Sequence, residues 1–214
     1  MRFRVKSIRS LRGMTLIKAV GVALVLMFAC VGVLAEQASL EQQDIANNVL
    51  RFHVLANSDS SEDQALKLEV RDAVIGYVQG LGGTDLEGTK SKILANLSNI
   101  EDVARKVVTD NGFDYDVVAK LGSCEFPTKQ YGDISLPSGI YDALNIEIGA
   151  AKGHNWWCVV YPNICFVETG AVLTDEAKAQ LRGVIGEDEY ALISGKRPIR
   201  FRIIELMQIL NIRY

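Results

Sequence analysis

The run Gly153-His154-Asn155-Trp156-Trp157-Cys158-Val159-Val160-Tyr161-Pro162-Asn163-Ile164-Cys165-Phe166-Val167 holds both tryptophans and two of the four cysteines of a 214-residue chain. Trp156 to Tyr161 is continuously apolar, aromatic and β-branched, the composition of a strand covered on both faces, and Pro162-Asn163 supplies the break after it. The run therefore reads as a central strand. If the chain folds back near Tyr161-Pro162, Cys158 and Cys165 come roughly opposite each other on neighbouring strands, at a separation a disulfide spans. A bond closing so short a loop stabilises by about 2–3 kcal/mol in the chain-entropy model. The other reading is two reduced, buried cysteines acting as small hydrophobes. Cys-x6-Cys is too wide for a thioredoxin-type pair, and no second cysteine or histidine pair has zinc-ligand spacing.

Working outward, the chain opens with a secretory layout. Arg2, Arg4, Lys6, Arg9, Arg12 and Lys18 form a basic head, no acidic residue precedes Glu36, and Ala19 to Ala35 is uncharged and mostly apolar. Val33-Leu34-Ala35 has small residues where a signal peptidase reads, so residues 1–35 are expected to be a signal peptide cleaved after Ala35. Lipidation at Cys30 is disfavoured by Met27-Phe28-Ala29, and an uncleaved anchor is the remaining alternative. In each case residues 36–214 lie outside the cytoplasm, where a disulfide persists. The signal holds six of the 23 basic residues and none of the 26 acidic ones, so the mature chain carries a formal charge of −9. That excludes nucleic-acid binding by charge and leaves membrane contact to the signal segment alone.

Residues 36–214 are one domain's worth of chain. Glu36 to Asn48 is polar and reads as a linker or short helix. Leu50 to Ala56 reads as a strand running into the capping cluster Asn57-Ser58-Asp59-Ser60-Ser61. A helix follows with Leu66, Val70, Ala73, Val74, Tyr77 and Leu81 as its apolar stripe, Ser61 and Gln64 as a capping box, and Gly80-Leu81-Gly82-Gly83 as its stop. A second helix is predicted from Thr89 to Asp110, with Ile93, Leu97, Ile100, Ala104 and Val107 on one face. The period then drops to two. Tyr115, Val117, Ala119 and Leu121 form the dry side of a strand, and Leu144, Ile146 and Ile148 that of another. A helix is expected near Thr174, and a last helix or strand after Pro198. The fold class is α+β, one domain with a largely antiparallel or mixed sheet and helices packed against it.

No catalytic constellation is visible. His53 and His154 have no partner at metal-ligand spacing, and no G-x-S-x-G, Walker A or G-x-G-x-x-G occurs, so no cofactor is expected. A Cys158 nucleophile would need an imidazole within reach. His154 is four residues away, about 13 Å along a strand, and only His53 could approach through the fold. Recognition fits better. His53, Asn57 and Asp59 at the end of the first strand and Asn155, Trp156 and Trp157 at the start of the tryptophan strand form one candidate patch if the two segments lie side by side. One tryptophan is expected in the core and the other on the opposite face.

Leu50-Arg51-Phe52-His53-Val54-Leu55-Ala56-Asn57-Ser58-Asp59-Ser60 with Asp63-Gln64-Ala65-Leu66-Lys67 and Val70-Arg71-Asp72-Ala73-Val74 resembles the opening of the stage II sporulation protein R family. So do Phe126-Pro127-Thr128-Lys129, Tyr131-Gly132, Leu136-Pro137, Tyr141, Ala143-Leu144, and Gly149 through Trp156-Trp157-Cys158-Val159 to Cys165-Phe166-Val167. The chain departs from the family pattern at Cys124, His154 and Ile164. The resemblance implies a non-enzymatic signal made in the forespore of an endospore-forming bacterium. It would cross into the space between forespore and mother cell and trigger a membrane-embedded aspartic protease that matures the sigma-E precursor. A cysteine-dependent hydrolase and a cell-envelope binding module are the alternatives.

Overall fold

The structure, a computed structural model, describes residues 5–165 and 173–194, with side chains from residue 16 onward. The chain divides into two units, Met1–Leu40 with Ile199–Tyr214, and Glu41–Pro198. Helix α1 (Val5–Asn48) is continuous. Its segment Leu16–Asn48 is long enough to cross a membrane and contains an 18-residue window of mean hydropathy 2.5, and Leu16, Ile17, Val25, Leu26 and Phe28 are exposed along it. Glu36 to Asn48 is therefore the last part of a long helix and not a linker.

The second unit holds a four-stranded mixed sheet. Strand β1 (Leu50–Leu55) is buried almost throughout because every residue type in it but Arg51 and His53 is apolar. Helix α2 (Ser61–Leu81) follows, capped by the Ser60 side chain, which accepts from the Asp63 backbone N–H. The cap thus sits one residue before the expected Ser61, and Gln64 instead donates to the Ser58 carbonyl. Leu66, Val70 and Val74 are buried as the stripe requires; Ile75 and Val78 join them, while Ala73, Tyr77 and Leu81 are only partly covered. Gly82 ends the helix at φ 59°, a left-handed value that favours glycine.

The expected helix over 89–110 is two helices, α3 (Leu86–Ala95) and α4 (Leu97–Asp110), divided at Asn96. Asp85 opens α3 by accepting from Gly88 N–H, and Asn96 breaks the run, its amide turning back to the Lys92 carbonyl. Strand β2 (Val117–Phe126) starts later and runs longer than the alternation after Tyr115 suggests. A small hairpin, β3 (Lys129–Tyr131) and β4 (Ile134–Leu136), precedes β5 (Gly139–Ile148) and β6 (Asn155–Tyr161). Helices α5 (Asp175–Ile185, N-capped by Thr174) and α6 (Glu187–Ile193) follow; α6 was not anticipated. The continuation into Phe166-Val167 and the terminal stretch from Ile199 lie outside the described residues.

Sheet order is β2-β5-β1-β6. β5 pairs antiparallel with β2 and parallel with β1, and β6 pairs antiparallel with β1. This corrects the tryptophan strand: among the described residues β6 pairs only with β1 and lies at the edge of the sheet, while β1 and β5 are central. Its apolar run is buried in the second half, Cys158 to Val160, and half-open at Trp156 and Trp157. Phe52, Val54, Leu144, Ile146, Ile148, Val117, Ala119 and Cys158 form one core with the buried stripes of α2 and α4. Cys158 and Cys165 are joined, with Cα atoms 5.3 Å apart, but across the turn after β6 rather than between neighbouring strands. That turn holds Pro162 and Asn163, and the Ile164 N–H returns to the Val159 carbonyl.

Candidate functional site

Pairing partners point to the same side of a sheet, so the register sorts the candidate residues. Arg51 pairs with Val159 and Ala143, His53 with Trp157 and Asn145, and Leu55 with Asn155 and Glu147. All of these lie on the face turned away from α2 and α4. Trp156, opposite Val54, lies on the helix face. The six predicted site residues therefore divide: His53, Asn155 and Trp157 share one face, Trp156 is on the other, and Asn57 and Asp59 sit where β1 ends.

His53 is only 8% exposed. Its ring stacks on Trp157 with centroids 3.7 Å apart and 9° between planes, and Phe126 closes a third side, 4.7 Å edge-on from Trp157. Burial lowers its pKa to about 4; Asn145, Asn155 and the Glu147 carboxylate pull the other way without restoring it. The imidazole is thus neutral near pH 7, and its Nε2 has no hydrogen-bond partner. Trp157 is half-buried, and the Lys129 ammonium stands 5.9 Å from its ring centroid.

Next to this group is a residue that sequence reasoning missed. Arg51 is fully buried. Its guanidinium carbon lies 4.2 Å from the Phe126 centroid and 4.8 Å from that of Tyr141. Nε donates to the Cys158 carbonyl at 3.1 Å, Nη2 donates to the Tyr131 hydroxyl at 2.9 Å, and Nη1 is unpartnered. The Tyr131 hydroxyl in turn donates to the Trp157 carbonyl at 3.3 Å. Arg51 thereby ties the β3–β4 hairpin to the backbone of β6 at Trp157. The only sequence signal was a charge in the middle of an otherwise apolar strand; its aromatic partners come from positions 126, 131 and 141 and are brought together by the fold.

On the helix face, Trp156 packs partly buried against the core, with the Arg71 guanidinium 4.3 Å from its centroid. At the end of β1, Asn57 donates to Asp63 at 2.8 Å and accepts from the Ala150 N–H at 2.9 Å. Asp59 accepts from the backbone N–H of His154 at 2.6 Å and meets its Nδ1 at 2.5 Å. These contacts hold the Asp59 carboxyl below the usual range and pin the 149–154 loop to the start of α2. Lys67 adds a bond from its buried ammonium to the His154 carbonyl at 3.0 Å, and burial lowers its pKa.

Cys158 is consumed in the disulfide and lies on the core side of the sheet, whereas His53 is on the other side. The pairing a thiol hydrolase would need is not assembled. Among the described residues no group of His, Cys, Asp or Glu could hold a metal ion.

A model of the family described as stage II sporulation protein R (spore_II_R) matches residues 46–171, a span that contains the whole sheet, both tryptophans and the disulfide. The chain belongs to the stage II sporulation protein R family. Stage II sporulation protein R of Bacillus subtilis (strain 168) is 33% identical to it over 162 residues, covering 72% of this chain and 71% of that protein. No solved structure matches. The sporulation protein R match begins at residue 46 and ends at 171, so it centres on the α+β unit and leaves the apolar N-terminal helix almost entirely outside.

Proposed function

We propose that the chain is an exported signalling protein of endospore formation. It is made in the forespore, passes into the space between the forespore and mother-cell membranes, and activates a membrane-embedded aspartic protease that matures the sigma-E precursor in the mother cell. Family membership is the observation that carries this reading. The apolar N-terminal helix and the Cys158–Cys165 bond support export. The half-open aromatic and polar surface around His53 and Trp157 suits recognition of a protein partner.

Reconstitution tests the reading. The full chain is co-expressed with the protease and the sigma-E precursor in a bacterium that does not sporulate, with the chain directed across the membrane that holds the protease. Precursor cleavage that requires both the chain and its export is the expected result. Cleavage that proceeds equally without the chain, or with a chain lacking its N-terminal helix, would count against it.

A further inference from the structure

The predicted patch divides into two surfaces, and they differ in what their groups have left unused. At the end of β1, Asn57 is occupied by Asp63 and Ala150, and Asp59 by His154. On the helix face, the Trp156 ring is already covered by Arg71. The other face is less complete. Lys129 is half-buried beside Trp157 and makes no ion pair with any described carboxylate, whereas Lys120 on the same face is matched by Glu147 at 3.0 Å. His53, by contrast, is almost fully buried, Nε2 included, and supports the Trp157 ring from beneath by stacking at 3.7 Å. Asn155, two residues before Trp157 and so on the same face about 7 Å along the strand, is exposed. A cation against an indole and an exposed carboxamide are thus contiguous, and the one charge among these groups with no ion-pair partner among the described residues is positive.

We propose that this half of the sheet's second face, formed by His53, Asn155, Trp157 and Lys129, is the docking surface for an acidic segment of the protein partner, whose carboxylate lies against the Lys129 ammonium at the edge of the Trp157 ring. Charge complementarity selects the occupant. The mature chain is acidic as a whole, so an acidic partner gains nothing from long-range steering, and recognition depends on short-range contact where water is excluded. The aromatic wall of Trp157, His53 and Phe126 lowers the local dielectric and strengthens that contact. Arg51 and Tyr131 act behind it as positioning residues, holding the Trp157 backbone in place.

The proposal rests on the functional reading above, and the test separates the two. Binding of the full-length chain to vesicles carrying the membrane protease is measured for wild type, Lys129→Glu, Asn155→Asp, Asn155→Lys and the control Lys106→Glu, which alters an exposed pair with Asp110 on α4. Asn155 and Lys106 are exposed and Lys129 is half-buried, and retained melting temperature and disulfide content confirm folding. Lys129→Glu and Asn155→Asp are expected to weaken binding by about tenfold or more, Asn155→Lys to tighten it, and Lys106→Glu to leave it unchanged. Wild-type binding with Lys129→Glu equal to it, or with Lys106→Glu losing as much, overturns the surface alone. A wild-type chain that does not bind overturns the functional reading and this surface with it.

Discussion

A guanidinium with no exposed surface, two hydrogen bonds and no carboxylate bonded to it carries a large desolvation cost, offset here by aromatic faces and two carbonyl or hydroxyl acceptors. Arg51→Lys keeps the charge but loses the fork and the stacking, so it is expected to lower stability by about 2–4 kcal/mol in denaturant unfolding. Arg51→Met, which removes the charge and keeps the volume, is expected to cost less. A lysine variant as stable as the methionine one would show that the charge is not the penalty. His53 gives a pH signature of its own. Its folded pKa of about 4 lies below the unfolded value of 6.5, so the unfolded chain takes up the proton first as pH falls. Its contribution is complete above about pH 6.5 and is lost towards pH 4, by at most about 1.4 kcal/mol per pH unit. The depressed Asp59 carboxyl adds its own loss as pH falls through the carboxylate range, and it is common to wild type and variant, so it cancels in their comparison. Comparing pH-dependent melting of wild type and His53→Gln checks this: the variant should be flatter between pH 4 and 6.5, and an identical slope would refute the assignment. At this scale the sequence showed which residues were unusual, His53 and the tryptophans, but not their partners. The stacking of His53 on Trp157 depends on a strand register set 104 residues apart in the chain, which no local pattern encodes.

Periodicity made α2 and the alternating strands legible, because each buries one stripe or one face against the same core. It failed for β6. A continuous apolar run reads as central, yet this strand is covered on one side by the helix-face core and on the other by aromatic neighbours, so both faces are apolar with no second pairing strand among the described residues. It also failed at Asn96, where one periodic stretch holds two helices because a side-chain amide competes for a backbone carbonyl. The loop between β5 and β6 allows a sharp test of how tightly elements meet. A Cβ on Gly153 would collide with the Ser58 carbonyl, and the Gly153 N–H is already bonded to the Ala56 carbonyl at 2.9 Å. Gly153→Ala must push the loop off the end of β1, and a loss of roughly 2–4 kcal/mol is expected. Gly76, inside α2 and with open space where a Cβ would stand, should respond with the opposite sign: Gly76→Ala should stabilise by about 0.5–1 kcal/mol. Thermal melting of the two variants, if both moved the same way, would contradict this picture of the loop.

At the scale of the whole molecule, the α+β unit from Glu41 to Pro198 and the apolar helix before it answer different physical demands. The first buries its apolar side chains; the second exposes Leu16, Ile17, Val25, Leu26 and Phe28 over a stretch long enough to cross a bilayer. Exposed apolar surface of that extent is tolerated in lipid and not in water. The basic residues before it and the absence of any acidic residue before Glu36 orient such a segment with its start on the cytoplasmic side. Placing the α+β unit beyond the membrane also gives the Cys158 and Cys165 thiols an oxidising compartment in which to pair. Ala35, the last small residue of Val33-Leu34-Ala35, is where the signal should be cut. Wild-type protein recovered from the non-cytoplasmic fraction is therefore expected to begin at Glu36 and to carry the disulfide. Ala35→Phe should leave residues 1–35 attached and hold the chain in the membrane fraction. Intact-mass measurement of both proteins before and after reduction decides it, and wild-type chain found in the cytoplasm with Met1 retained and its cysteines reduced would refute export.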